Sequence, residues 1–187
     1  DLVLAANVQL RTGTGDLALA ASRDIRFAGG ASVYTAGRPG APMLAASPLG
    51  TSTSFPIGGG QLSLAAGRDI VGVPFTQNMT QWLRRQGTGP NVQAGAQKTA
   101  WGINIKEFNW NAGALGGGDL TTRAGRDIIN LSAAVADSAI EATPGQLTRV
   151  GGASLNVSAG EDVSSGLVYV ASGSGRLAAG NAFTSAR

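Results

Sequence analysis

GGGDLTTRAGRDII, residues 116–129, decides the fold of this chain because nearly the same phrase occurs three more times. The other copies read GTGDLALAASRDIR at 13–26, GGGQLSLAAGRDIV at 58–71 and GGASLNVSAGEDVS at 151–164. Neighbouring copies are 45, 58 and 35 residues apart, whether they are aligned on the first leucine or on the aspartate. A phrase of constant length with connections of variable length is typical of a repeat fold whose insertions are confined to loops.

Inside each copy, apolar residues alternate with small or polar ones. In the second copy Leu62, Leu64 and Ala66 alternate with Ser63 and Ala65, and such a period of two predicts a strand with one buried face. Three copies continue with a glycine, which predicts a turn with a positive φ. A β-branched residue comes after the aspartate in every copy: Ile25, Ile70, Ile128 and Val163. The phrase therefore predicts a strand, a corner and a second strand around one interior.

Strand and turn lengths predict how many coils the chain forms. Three strands of about five residues, joined by three short turns, give a coil of roughly 20 to 27 residues. A spacing of 45 then predicts two coils, and a spacing of 35 predicts one coil with an extra loop. Since stacked coils bury each other's faces, we expect an all-β chain, a parallel β-helix that occupies residues 1–187 as a single segment. Residues 1–14 and 166–180 alternate similarly and predict partial coils.

Two segments depart from the repeat. Residues 36–56 contain four prolines among glycines and serines, which predicts a surface loop because proline is excluded from central strands. Residues 74–116 are predicted to be an insertion with a short α-helix near 79–86. The helix is suggested by the spacing of its apolar residues, with a cap before it and a glycine after it: Asn78, Met79, Trp82, Leu83 and Gly87. Further on, Ile103 and Ile105 alternate as in a returning strand.

Composition narrows the classes of function. Glycine accounts for 29 of 187 residues and charged residues for only 13%, which suits many short strands and tight turns. The net charge is +3, and the only adjacent basic pair is Arg84–Arg85, so the pattern argues against nucleic-acid binding. Without cysteine or histidine, thiolate and imidazole metal sites are excluded. No apolar run is long enough to predict a membrane span, and no signal peptide precedes the first repeat, so we expect a piece of a longer chain.

The repeated Gly-Arg-Asp could be a cell-attachment tripeptide or an architectural corner. It recurs at a constant distance from the core leucines, at 67–69 and 125–127, and this favours the corner. The aspartate is expected to accept backbone N–H bonds there, and the arginine to pair with an acidic neighbour on an adjacent coil. The aspartates are too far apart for a calcium-binding β-roll, and the glycine triplets lack the Lys-Ser/Thr of a phosphate-binding loop. We therefore expect no metal and no cofactor.

The sequence singles out one cluster as a possible contact with a partner, and all of it lies in the insertion. Aromatic and arginine side chains concentrate binding energy at interfaces, whereas the outward residues of the repeats are small. The alternative is that the aromatic residues cover the flank of the stack. The candidate residues are Trp82, Arg84, Arg85, Trp101, Phe108 and Trp110.

The repeat L-x-L-x-A-G-R-D-I resembles the repeats of filamentous haemagglutinin-like exoproteins of Gram-negative bacteria. QWLRRQ at 81–86, followed by FNWNAGALGGGDLTTRAGRDI at 108–128, is similar to a C-terminal-region domain of unassigned function in these very large chains. The resemblance implies a right-handed parallel β-helix and export by two-partner secretion to the cell surface. It implies a fibre or adhesin that meets a receptor or glycan on a host cell or bacterium. The motif of the family's secretion domain is absent, so the outer-membrane transporter is expected to act on another part of the full chain.

These expectations leave two classes of function. The first is a non-enzymatic structural or adhesive segment of a secreted exoprotein. The alternative is a β-helix enzyme acting on polysaccharide, or a glycan-binding solenoid of phage or surface type. Glycoside hydrolysis needs paired carboxylates, so the discriminating observation is whether three or more charged residues meet. The residues concerned are Lys98, Lys106, Glu107, Asp137, Glu141 and Arg149.

Overall fold

A computed structural model of the chain describes residues 1–39, 56–74, 76–86, 100–143 and 146–185. The described residues are nearly all β-structure, as the sequence predicts. Two short 3₁₀ helices cover Met79–Gln81 and Ile105–Glu107. The strands are β1 (Leu2–Leu4), β2 (Gln9–Thr12), β3 (Leu17–Ala21), β4 (Ile25–Phe27), β5 (Ser32–Thr35), β6 (Arg38–Pro39), β7 (Pro56–Ile57), β8 (Leu62–Ala66), β9 (Ile70–Val71), β10 (Leu83–Gln86), β11 (Ala100–Ile103), β12 (Ala112–Ala114), β13 (Leu120–Ala124), β14 (Ile128–Ile129), β15 (Ser132–Val135), β16 (Ser138–Thr143), β17 (Gln146–Val150), β18 (Leu155–Ala159), β19 (Val163–Ser164), β20 (Leu167–Val170), β21 (Gly175–Ala179) and β22 (Phe183–Thr184).

Most strands belong to three parallel sheets. Sheet A has the order β1-β4-β9-β14-β19-β22, sheet B the order β2-β5-β12-β15-β20, and sheet C the order β3-β8-β13-β18-β21. The chain passes through the sheets in the repeating order C, A, B, and one such passage is called a coil below. This path through parallel sheets is compatible with the solenoid expected from the sequence.

Each copy of the repeated phrase supplies one coil. Leu62 pairs with both Leu17 and Leu120, and Leu120 pairs in turn with Leu155. The prediction that 45 residues hold two coils is therefore wrong. The chain leaves the stack after β5 and returns at β8, so the additional length is an insertion and not a second coil. The spacing of 35 is one coil with an extra segment, as predicted.

The alternation inside the phrase is confirmed. In β8 the side chains of Leu62, Leu64 and Ala66 are buried, while Ser63 and Ala65 are exposed. The first β-branched residues of four sheet A strands are also buried: Ile25, Ile70, Ile128 and Val163. Rows of like residues from successive coils thus form the interior. Strand β21 continues sheet C as a fifth equivalent strand, in which the exposed Leu177 pairs with Val157. It lies within residues 166–180, for which the sequence predicts a partial coil.

Sheet B differs from the other two sheets because both faces of its three middle strands, β5, β12 and β15, are buried. In β5, Val33 belongs to the interior of the stack, while Tyr34 belongs to a second apolar cluster on the outer side. The same division places Ala133 inside and Ala134 outside. The material that covers this outer side comes from the insertions.

Two insertions meet in a four-stranded antiparallel sheet of order β10-β11-β16-β17, called the insertion sheet below. The predicted α-helix near 79–86 is absent: Met79–Gln81 form a 3₁₀ turn, and the chain continues as β10. Pairing with β11 supplies hydrogen bonds that a lone short helix would make internally. The turn still begins at Asn78, whose N–H donates to Gln81 Oε1 at 2.9 Å. Gly87 lies outside the described residues.

The limits of the predicted segments need two adjustments. The first insertion is closed at its base by β6 and β7, which pair antiparallel, while 40–55 lie outside the described residues. The insertion predicted at 74–116 ends earlier, because β12 already belongs to sheet B. Of the two isoleucines predicted to alternate in a strand, Ile103 lies in β11 and Ile105 begins a 3₁₀ turn.

Candidate functional site

The predicted aromatic contact residues are largely buried. Trp82, Phe108 and Trp110 are each at most 1% exposed. The ring of Trp82 makes edge-to-face contacts with Phe108 at 5.1 Å and Trp110 at 5.3 Å between centroids. Phe108 meets Tyr34 of sheet B in the same way at 5.4 Å. These three side chains cover the flank of the stack, which is the alternative interpretation that the sequence offers for them.

Small residues of sheet B make room for this aromatic cluster. Gly113 lies at the centre of β12, between Tyr34 and Ala134 of the neighbouring strands. A Cβ added at Gly113 would lie 2.5 Å from Cζ of Phe108. The Phe108 ring therefore occupies space that any larger residue at this position would need.

The other predicted contact residues lie on the insertion sheet. Backbone pairing joins Arg85 to Trp101, Trp101 to Ala139 and Ala139 to Arg149, which makes one row across four strands. The side chains of Arg85 and Trp101 lie outside the described part of the structure. Arg84 is half-buried, and its Nε has no hydrogen-bond partner among the described residues.

The Gly-Arg-Asp corners form a ladder along the edge between sheets C and A. Oδ1 of Asp69 accepts the backbone N–H of Asp127 at 3.3 Å, and Oδ1 of Asp127 accepts that of Asp162 at 3.0 Å. The arginines of the second and third copies pair with the aspartate of the coil before them: Arg68 with Asp24, and Arg126 with both carboxylate oxygens of Asp69, at 3.2 and 2.6 Å. The ladder confirms the architectural interpretation of the tripeptide.

Asp24 shows the electrostatic effect of this ladder most clearly. Its buried carboxylate accepts hydrogen bonds from Arg68 at 3.1 and 2.9 Å and from Arg26 at 2.6 Å. The hydrogen bond to Arg68, aided by that to Arg26 and opposed by desolvation, holds the pKa of Asp24 well below its usual range. The carboxylate therefore stays charged at neutral pH and bonds the coils together.

The glycine of the corner is needed for a reason other than the one predicted. Gly67, Gly125 and Gly160 do not have a positive φ. A Cβ added at Gly125 would instead lie 2.2 Å from the carbonyl oxygen of Gly67, and one at Gly160 would lie 2.1 Å from that of Gly125. The close approach of successive coils, and not a left-handed turn, selects glycine here.

A pocket with both apolar and polar lining residues lies where the insertion sheet meets the outer side of sheet B. It has a volume of about 190 Å³. Asp137, at 9% exposed, is its most buried charged residue. The Asp137 carboxylate accepts the backbone N–H of Gly152 at 3.1 Å and the hydroxyl of Ser172. The pocket is lined by Leu83, Asp137, Ala139, Arg149, Tyr169, Ala171 and Ser172.

The electrostatics of this pocket are set by a carboxylate that has no cationic partner among the described residues. None of the ion pairs in the described residues involves Asp137. Burial, and then the charge of Asp137, raise the pKa of the Tyr169 phenol, so Tyr169 is neutral at pH 7. Glycine at position 151 leaves space for this carboxylate, since a Cβ there would overlap Asp137 Oδ1. Sequence reading missed the pocket because its residues come from four separate stretches of chain.

Among the charged residues that would favour an enzyme, those whose side chains are described do not line one common pocket. Asp137 and Arg149 line the pocket just described, and Glu107 lines a different one beside Trp110. The side chains of Glu141 and Lys98 lie outside the described residues. In the described ranges, no group of three or more acidic residues is close enough to hold a metal ion.

Comparison with protein-family models, with curated proteins and with solved structures finds no match for this chain. Within the described ranges, no helix has both the length and the apolar character needed to cross a bilayer.

Proposed function

We propose that this chain is a right-handed parallel β-helix segment and a non-enzymatic structural or adhesive part of a large secreted surface exoprotein of a Gram-negative bacterium. The proposal includes the filamentous haemagglutinin-like character suggested by the repeats, with export by two-partner secretion. The observation that carries it is the register of sheet C, in which five equivalent strands pair one above the next.

That register suits a fibre because each coil offers its neighbours the same surface. The interior rows, the aspartate–arginine ladder and the glycine corners all repeat from coil to coil. A structure held by contacts between nearest neighbours can be lengthened without a change of design. An elongated scaffold of this kind is what a surface exoprotein requires.

The insertions supply the feature that distinguishes this segment from plain scaffold. The described outward residues of sheet C are mostly small, and they offer little area to a partner. The insertion sheet carries Arg84, the backbone row from Arg85 to Arg149, and the pocket around Asp137. We therefore assign display to the insertion sheet and support to sheets A, B and C.

A bead-binding assay tests whether the insertion sheet, and not sheets A, B and C, carries the adhesive surface. Beads coated with the protein would be presented to epithelial cells and to bacteria, and adhesion compared with that of a variant in which a glycine-serine linker replaces residues 76–110. The matched control replaces residues 40–55, which lie in the sequence between β6 and β7. Loss of adhesion only in the first variant supports display on the insertion sheet, provided that both variants stay folded. Equal adhesion of both folded variants and the parent would refute it.

The pocket around Asp137 supports a second candidate, a glycan-binding solenoid. A carboxylate, a phenol and a guanidinium around an apolar floor are groups that can bind hydroxyl-rich ligands. A polysaccharide-cleaving enzyme has weaker support, because Asp137 and Glu107 line different pockets. Incubating the protein with a mixed polysaccharide and assaying reducing ends tests that alternative directly: release of reducing ends by the parent but not by Asp137→Asn would favour an enzyme.

A further inference from the structure

We infer that the pocket around Asp137 binds one pyranose ring of a surface polysaccharide. This inference deepens the proposed adhesive function and rests on it for the biological source of the ligand. The pocket is built from β10, β16, β17 and β20 with the residues that directly flank them, and so it exists only where the two later insertions meet sheet B.

The first argument is the state of the Asp137 carboxylate. It is nine-tenths buried and lines the cavity, and its described partners are one N–H and one hydroxyl, both uncharged. Burying a carboxylate without a cation is costly unless its remaining acceptor positions are filled. A ligand that carries two adjacent hydroxyl groups can fill them with charge-assisted hydrogen bonds.

The second argument is the arrangement of the other walls. Leu83, Ala139 and Ala171 give the cavity an apolar floor, and Arg149 lies exposed at its rim. The Tyr169 phenol, neutral at pH 7, can both donate and accept a hydrogen bond. A pyranose ring has an apolar face of C–H groups and a rim of hydroxyl groups, which matches an apolar floor surrounded by a carboxylate, a phenol and a guanidinium.

The third argument is size. A volume of about 190 Å³ is smaller than the roughly 300–1,000 Å³ of pockets for drug-sized ligands, so the cavity suits one ring and not a longer chain. So few contacts predict weak binding, with a dissociation constant on the order of 1 mM for a single ring. Useful adhesion would then depend on many copies of the site acting together.

Nuclear magnetic resonance titration of the ¹⁵N-labelled protein tests the inference. The probes are the methyl glycosides of glucose, galactose, mannose and N-acetylglucosamine, each raised to about 50 mM, well above the expected dissociation constant. At least one glycoside should shift the amide signals of Gly152 and Ser172 in a saturable way. No saturable shift with any of the four would overturn the inference.

Two variants and a competing probe sharpen the test. Arg149→Ala should weaken binding about tenfold, because it removes a charged donor from the rim. Arg176→Ala, an exposed arginine of β21 away from the pocket, should leave binding unchanged. Tyr169→Phe keeps the ring and removes the hydroxyl, so it should also weaken binding while the fold is retained. If Arg149→Ala and Tyr169→Phe both bound like the parent, or if only the cationic probe N-acetyl-lysine methylamide shifted the same amides, the site would not be a sugar site.

The outcome can be separated from that of the proposed function. If the glycosides fail to bind but coated beads still need residues 76–110 for adhesion, the sugar site is refuted and the adhesive segment stands. If a glycoside binds and the beads do not adhere, the sugar site stands and the adhesive role is refuted.

Discussion

The strands of sheet C pair in register over five residues from one coil to the next, whereas β11 and β16 of the insertion sheet pair over only two. In sheet C each side chain meets the equivalent residue of the neighbouring coil. Where the aromatic cluster packs on sheet B the contacts occur once: Trp82 against Phe108, and Phe108 over Gly113. The first region is held by repetition and the second by one aromatic cluster on the outer side of sheet B. This contrast predicts which changes act globally and which act locally.

The largest effect is expected where repetition leaves no space. In Gly125→Val the new Cβ would approach the carbonyl oxygen of Gly67 to 2.2 Å, so the coils must separate. We expect the free energy of unfolding to fall by about 3 kcal/mol or more, measured by denaturant titration. Gly15→Val is the matched control, because a Cβ there meets nothing within 4 Å, and it should change stability by less than about 0.5 kcal/mol. Equal stability of the two variants would refute the close-approach explanation.

A change in the aromatic cluster should have a large but local effect. Trp82→Ala removes a fully buried ring from the contact between the insertion sheet and sheet B. We expect a local loss of about 3 kcal/mol, seen as faster hydrogen exchange in β10 and β11. The amides of β8 and β13 should keep their protection. A uniform loss of protection in all sheets would show that the two regions form one cooperative unit.

The ladder at the corners should contribute less than the close packing. Asp69→Ala removes the acceptor for both the Asp127 N–H and the Arg126 guanidinium. We expect destabilisation of about 2 kcal/mol by thermal unfolding. Arg126→Ala should cost less than about 1 kcal/mol, because this arginine is nearly half exposed and solvent weakens its ion pair. If Arg126→Ala were the more damaging change, the ion pair and not the backbone acceptor would be the main contribution.

The smallest expected effect is on the stability of the fold at acid pH. Because hydrogen bonds from Arg68 and Arg26 hold the pKa of Asp24 well below its usual range, the folded chain binds fewer protons than the unfolded chain as pH falls. The contribution of Asp24 is therefore fully present above the unfolded pKa of about 4 and is lost progressively below it. The melting temperature should decline below about pH 4, and Asp24→Asn should flatten that decline. An equally steep decline in Asp24→Asn would assign the acid sensitivity to other carboxylates.

How much of this could be predicted from sequence follows from the same contrast. The faces of β8 and the corner at Asp69 could be predicted because stacking repeats the same constraint in every copy. The number of coils could not be predicted. The 45 residues between neighbouring copies are enough either for two coils or for one coil with an insertion, and the sequence does not distinguish the two. Strand β10 lies where the sequence predicted the end of a helix. It is stabilised by pairing with β11, which begins fourteen residues after β10 ends, and a local pattern of residues does not show such a partner. The pocket around Asp137 depends on a meeting of two insertions that no local pattern encodes.

A disulfide between adjacent coils tests the claim of one coil for each repeated phrase most directly. The chain has no cysteine, so a double variant Ala18→Cys with Ser63→Cys carries the only two thiols. These residues pair directly across β3 and β8 and are both exposed. Neighbouring strands are about 4.8 Å apart, within the range a disulfide spans, whereas strands two coils apart are about 9.6 Å apart and too distant. The account predicts complete disulfide formation in the folded monomer, with none in the control pair Ala18→Cys with Thr121→Cys. Failure of the first pair to form the bond, with the fold intact, would contradict it.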